Sequence, residues 1–217
     1  LDGAIGMEGM IDGEFDLTWN GPSGDNSLFA VLPSVVGDTL EAIDLKDGTS
    51  DLPDGKVYFS GEDWGDIGVS FTGNISLSDV SIIVGIPMKN IMGTTYVDGE
   101  YDKDQLAELE FVLNVDDMSV LGRNITNIGG HLRLDSETQC IVFEEMRGES
   151  TTGSVTVDGW LAIDETKIYE IELLIAGVDL KTETGEDALA SLQGELTGWV
   201  SMAGVRGDSN SRRGLGL

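Results

Sequence analysis

Hydrophobic positions in this chain fall mostly on alternate residues. In residues 169–180, YEIELLIAGVDL, Tyr169, Ile171, Leu173 and Ile175 share one side of an extended backbone. Glu170 and Glu172 begin the other side, and Leu174 and Ala176 continue it. A period of two is the mark of a strand that buries one face. Val155, Val157, Leu161 and Ile163 alternate in the same way with Thr156, Asp158 and Ala162, and Ile75 and Leu77 with Asn74, Ser76 and Ser78. Gly, Asn and Asp punctuate these runs in VDGE, NIGGH and VDGW, and the short gaps predict antiparallel hairpins. Two stretches carry helical spacing instead. Leu32, Val36, Leu40 and Ile43 follow one another near Pro33, and residues 184–194 place Thr184 and Asp187 in a capping-box relation before Leu189, Leu192 and a closing Gly194. Residues 44–55, DLKDGTSDLPDG, read as a polar loop.

The pattern repeats. Residues 93–118 and 153–180 each start with Gly, run three residues to Val-Asp-Gly, and continue into an alternating strand. With a two-residue length difference, Leu109, Phe111 and Leu113 fall on Ile171, Leu173 and Ile175. A shorter theme, Gly-x-apolar-x-apolar, begins at Gly13, Gly73 and Gly130 and recurs less completely at Gly194, with separations of 60, 57 and 64 residues. Such periodicity predicts a serial repeat architecture in units of about sixty residues. The expected fold is all-β and mainly antiparallel: a curled repeat sheet with one or two short helices, forming one β region over residues 1–217. Opening at Leu1 without Met, the chain reads as a piece of a longer one.

Composition narrows what such a sheet can do. Lys and Arg number 12 against 40 Asp and Glu, a formal net charge of −28. That field repels nucleic acid and an anionic membrane surface. One cysteine, Cys140, excludes a disulfide framework within the chain. No run of residues reaches the roughly 18 apolar positions of a membrane helix.

Candidate chemistry is sparse. His131 is the single histidine, and the repeat aligns it with Glu14, Asn74 and Glu195, as befits a solvent-facing strand position. No nucleophile, phosphate-loop or zinc motif occurs. Asp44, Asp47, Asp51 and Asp54 offer hard oxygen atoms in one Gly-containing stretch, without the spacing of a calcium loop. The reading is therefore a non-catalytic chain with no cofactor and no intrinsic metal.

The stretch from ITNIGGHLRLD through STTGSVTVDGWLAIDETKIYEIELLIAGVDL to GELTGWVSMAGVRGD and GLG resembles the C-terminal part of AsmA-like proteins, the broad family that includes TamB- and YhdP-type envelope proteins. The shared order is a strand at Gly130, a Gly-rich hairpin at 153–159 and a Tyr-led strand at 169–175. Gly-Val-Asp-Leu at 177–180, a short helix at 187–192, a Gly-x-Leu-x-Gly at 194–198 and a closing turn at 214–216 follow. The resemblance covers residues 106–217 well and the first half more loosely. It implies a curled sheet with an apolar groove, a periplasmic or envelope location, anchoring to the inner membrane by a segment absent from this chain, and phospholipid or another lipid as partner. Its implied role is lipid transfer or outer-membrane assembly. The groove is expected to be lined by Leu109, Phe111, Leu113, Leu132, Leu134, Tyr169, Ile171, Leu173 and Ile175. Whether these meet lipid or the 32–43 helix stays open. The alternatives are an acidic extracellular β module for interaction or adhesion and, behind it, a carbohydrate-active β enzyme.

Overall fold

Successive side chains of an extended strand point to opposite faces, so each alternating run has to bury one face. In the computed structural model, which describes residues 3–7, 11–23, 45–62, 67–84, 86–102, 105–120, 123–162, 166, 168–179, 194–205 and 212–216, they do so in one antiparallel sheet. Its strands are β1 (Gly3–Met7), β2 (Ile11–Pro22), β3 (Leu45–Lys46), β4 (Thr49–Gly61), β5 (Ile67–Val84), β6 (Ile86–Asp102) and β7 (Gln105–Val120). The second half adds β8 (Arg123–Asp135), β9 (Cys140–Glu149), β10 (Ser154–Ala162), β11 (Ile168–Asp179), β12 (Glu195–Val205) and β13 (Arg212–Gly216). Neighbours in sequence are neighbours in the sheet, except that β4 follows β2 directly and β3 lies beside β5. The sheet curls without closing into a barrel, with β1 and β13 at the two ends of the path. The described residues are strand almost throughout, and no helix occurs among them. The expected helices at 32–43 and 184–192 lie outside the described residues.

Several stretches that read as joins are interior to strands. VDGE lies within β6, NIGGH within β8 and VDGW within β10. Within the polar stretch, residues 45–46 and 49–55 are strand as well: Lys46 pairs Ser81 and Thr49 pairs Ser78, so β3 and β4 run along β5 as one line interrupted at Asp47 and Gly48. Both interrupting residues take positive φ, 55° and 62°, which Asp and Gly tolerate better than most residues. Pro53, which cannot donate to a ladder, falls where register shifts against both neighbouring strands. There the Asp54 carboxylate takes over, accepting the Asn74 backbone N–H at 3.0 Å and its Nδ2 at 2.8 Å.

The long repeat is a repeated hairpin. In β6–β7, Gly99 pairs Leu109, Val97 pairs Phe111 and Thr95 pairs Leu113. In β10–β11, Gly159 pairs Ile171, Val157 pairs Leu173 and Val155 pairs Ile175. The register is the one the sequence alignment implies. The shorter glycine theme maps differently. Gly13, Gly73 and Gly130 lie inside β2, β5 and β8, and Gly194 just precedes β12, so the near-equal spacing does not mark strand starts. What the first three share is a face, as described below.

Bulges bend the sheet. Asp79, Asn90, Asn127 and Glu145 take positive φ, as does Gly177, and each falls where the register with a neighbouring strand slips. A bulge inserts one residue, bends its strand and sharpens the right-handed twist. Five of them, on β5, β6, β8, β9 and β11, suit a sheet that curls. They also reset the alternation. Leu77 and Val80 flank Asp79, and Ile125 and Ile128 flank Asn127, three residues apart, yet each pair packs in one cluster.

Candidate functional site

Rows of paired residues run across the strands and build one apolar face. One row joins Phe15, Val57, Phe71, Gly99 and Leu109 from β2 to β7. It resumes with Leu134, Ile141, Leu161 and Tyr169 from β8 to β11. The next row carries Val97, Phe111, Leu132 and Phe143, then Gly159, Ile171 and Met202. Side chains this large fit because glycines sit among them. The ring of Phe71 covers Gly99, Leu52 covers Gly73 and Met146 covers Gly130. Gly13 pairs Phe59, whose ring stacks on Phe15 at 5.2 Å. The recurrent Gly-x-apolar-x-apolar theme is thus one glycine and two apolar side chains on a single face, with Glu14, Asn74 and His131 pointing the other way.

The structure brings most of the sequence-derived groove residues together. Leu109, Phe111, Leu134, Tyr169, Ile171 and Leu173 belong to one buried cluster, and Leu113 and Leu132 pack against it half-buried. Ile175, half-buried in register with Val155 and Gly198, stands outside the cluster. Leu109 is wholly withdrawn from solvent. Beyond the bulges Val80, Ile91, Val115, Ile125, Ile128 and Met146 form a second cluster. Between the two lies a belt of half-buried apolar residues that touches both: Leu113, Leu132, Phe143, Val155 and Val157, with Ile82, Met88 and Val120. Sequence reasoning missed the second cluster and named only Leu113 and Leu132 of the belt for the groove, because the bulges break the alternation that would have revealed the rest.

The opposite face is polar and acidic. Lys56 lies 2.5 Å from Glu14 and 3.6 Å from Asp16. The bond from Lys56 draws the Glu14 carboxyl below its ordinary value, and Glu14 raises the Lys56 ammonium in turn. His131 Nδ1 is 2.9 Å from Glu110 Oε1, and its register partner on β9 is Glu144. The Lys56 pairs are exposed and add little to stability. Among the described residues no group of three or more His, Cys, Asp or Glu stands ready to hold a metal. Of the four aspartates singled out in the sequence, Asp54 is bonded to Asn74, Asp51 accepts Asn20 Nδ2 at 3.4 Å, and Asp44 lies outside the described residues. An apolar pair interrupts the acidic face: Leu174 and Trp199 are register partners, 55% and 46% exposed.

One polar atom on the apolar side is out of place. Trp19 pairs Leu52, and its ring folds over Gly21, where an added Cβ would lie 2.6 Å from Cζ2. Its Nε1 is buried and no acceptor reaches it, alone in this among the described residues. Leaving such a donor unpaired costs about 1–3 kcal/mol.

Comparison with protein-family models, with curated proteins and with solved structures finds no match to this chain.

Proposed function

We propose that this chain is a non-catalytic segment of an AsmA/TamB-like envelope protein, and that its apolar face carries lipid acyl chains during lipid transfer or outer-membrane assembly. The observation that supports this reading best is the belt of half-buried aliphatic and aromatic side chains lying between two closely packed clusters on a single curled sheet. A continuous apolar surface of that kind, rimmed by polar residues, suits an apolar ligand. Each methylene moved from water onto it contributes about 0.8 kcal/mol. The acidic face keeps the sheet in solution and turns the apolar side into the one place where a lipid gains by binding. On this reading the protein works in the periplasm, and a segment of its parent chain anchors it to the inner membrane.

A photoactivatable phospholipid tests the proposal. The wild-type chain should crosslink to it. Val157→Glu, placed in the belt, should lose the crosslink while its melting transition moves by only a few degrees. A wild-type chain that gives no crosslink removes the lipid reading. Loss of crosslinking in step with loss of folding leaves a closed core instead.

The exposed Leu174–Trp199 pair favours a second reading, an acidic module for interaction or adhesion. Under that reading Trp199→Ser abolishes partner binding, and substitutions in the belt do not.

A further inference from the structure

We propose that the two open ends of the sheet join head to tail between copies of this chain, β13 of one copy adding to β1 of the next. The proposal stands on the sheet edges and makes no use of the lipid reading. β1 and β13 end the path of paired strands, and among the described residues no strand pairs the outer side of either. Such an edge presents a row of backbone N–H and C=O groups to any further strand. Proteins guard exposed edges with charge, proline or a bulge. β1, GAIGM, has neither charge nor proline, and its register with β2 runs without a shift. β13, RRGLG, runs against β12 without a shift and carries Arg212 and Arg213. Each edge offers five residues to a new ladder.

Strand parity lets this junction continue the sheet. The path from β1 to β13 counts twelve strands, since β3 lies off it, and every neighbouring pair on it is antiparallel. β13 therefore runs opposite to β1. A second copy in the same orientation sets its β1 antiparallel to β13 of the first, and its apolar face continues on the same side. Charge then selects head to tail over the two symmetric junctions. Residues 1–45 hold nine Asp and Glu and no Lys, Arg or His. Asp12, Glu14 and Asp16 stand exposed on β2, and Lys56 is the partner of two of them. Residues 200–217 hold three Arg against one Asp. Joining β1 to β1 sets an acidic end against an acidic end, and joining β13 to β13 brings four arginines together. Head to tail, β13 lies two strand spacings, about 10 Å, from β2 of the next copy. That is about one screening length at 0.1 M salt, so the opposite charges attract across it.

Sedimentation of the wild-type chain over a range of concentrations tests the proposal, and that arm needs no variant. The average mass should rise past that of a dimer, because a head-to-tail contact always leaves an end open or closes a ring. A wild-type chain that stays monomeric, or stops at a dimer, overturns it. Two double variants then identify the edges. Arg212→Glu with Arg213→Glu turns the basic end acidic. Ala4→Lys with Gly6→Lys puts lysine on β1, opposite Glu14 and Asp12 in register, where it would meet the arginines of β13. Each double variant alone should associate roughly a hundredfold more weakly than wild type, or worse, through like-charge contact. Mixed, they should associate again, since each supplies the end the other lacks, and that recovery also shows both to be folded. Association retained by the glutamate variant alone means β1 on β1, and association retained by the lysine variant alone means β13 on β13. Either result overturns the head-to-tail junction, as does a mixture that stays monomeric.

Discussion

The ring of Phe71 lies over Gly99, its register partner on the adjacent strand. A Cβ built on Gly99 would enter that ring, 2.7 Å from Cε1. The glycine is what lets an aromatic side chain lie flat in the most buried row. Gly99→Ala is expected to destabilise the protein by about 1–3 kcal/mol, the usual cost of overpacking. Phe71→Leu shortens the side chain that would collide, so the double variant should lose less than the sum of the single ones. Urea unfolding of the four proteins measures the coupling. Additive losses would mean that the ring does not depend on the glycine.

The two faces should respond unequally to truncation. Leu109 is fully buried, and Leu109→Ala is expected to lose about 2–5 kcal/mol, since the cavity adds to the lost transfer energy. Leu174 is more than half exposed on the polar face, and Leu174→Ala should stay within about 0.5 kcal/mol. Equal losses at the two sites in thermal melts would contradict the assignment of faces.

Much of this face was legible in the sequence. The alternation from Tyr169 to Leu173 placed those side chains together, and the Val-Asp-Gly repeat set Leu109, Phe111 and Leu113 at the positions of Ile171, Leu173 and Ile175, which the two hairpins occupy in the same register. The same glycines were misread as joins. A glycine that makes room for a facing ring and a glycine that turns the chain look alike in one sequence, because the demand for a missing Cβ comes from a strand distant along the chain. Asn127 misled in the same way: Asn tolerates positive φ, and that serves a bulge as well as a turn. Each bulge slips the alternation by one residue, so Val80 and Ile125 sat out of phase with the runs that would have assigned them. Trp19 carried no local signal at all. Its unpaired N–H is a property of what surrounds it, which composition and spacing do not encode.

Acid should expose the carboxylates that tie strands and turns. In the turn between β8 and β9 the Asp135 carboxylate accepts the Thr138 hydroxyl at 2.8 Å and the Glu137 N–H at 3.0 Å, and these bonds hold its pKa below the ordinary 3.8. Asp54 is lowered by the backbone N–H of Asn74 and then by its side chain. A carboxyl lowered in the folded state stabilises fully above the unfolded value and loses that contribution as pH falls through the folded one. Asp135→Asn should therefore melt below wild type at neutral pH, and the gap should narrow once pH drops under about 3.8. Taking the difference between the two proteins largely removes the general relief of repulsion that a chain of net charge −28 experiences on acidification. A gap that stays constant through the acid range would show that the ionised carboxylate contributes nothing at this turn.

The bulge at Asn90 sets which face Ile91 joins, and three changes at that position separate conformation from phase. Asn90 is exposed, with φ of 53°, and the ladder to β7 gains one residue between Lys89 and Met92. Ile91, the next residue, is buried in the second cluster. Asn90→Gly keeps the backbone at no steric cost and should change stability by less than about 0.5 kcal/mol. Asn90→Val asks a β-branched residue to take a left-handed conformation and should lose about 1–2 kcal/mol or somewhat more. Deleting Asn90 is worse than either, because a one-residue slip sends every side chain on one flank of the strand to the opposite face. Either Ile91 leaves its cluster or Met88 leaves the belt. Chemical denaturation should rank the three as glycine, valine, deletion in order of increasing loss. A deletion no more harmful than the valine would mean that the strand recovers its phase elsewhere and that the bulge does not hold the apolar face together.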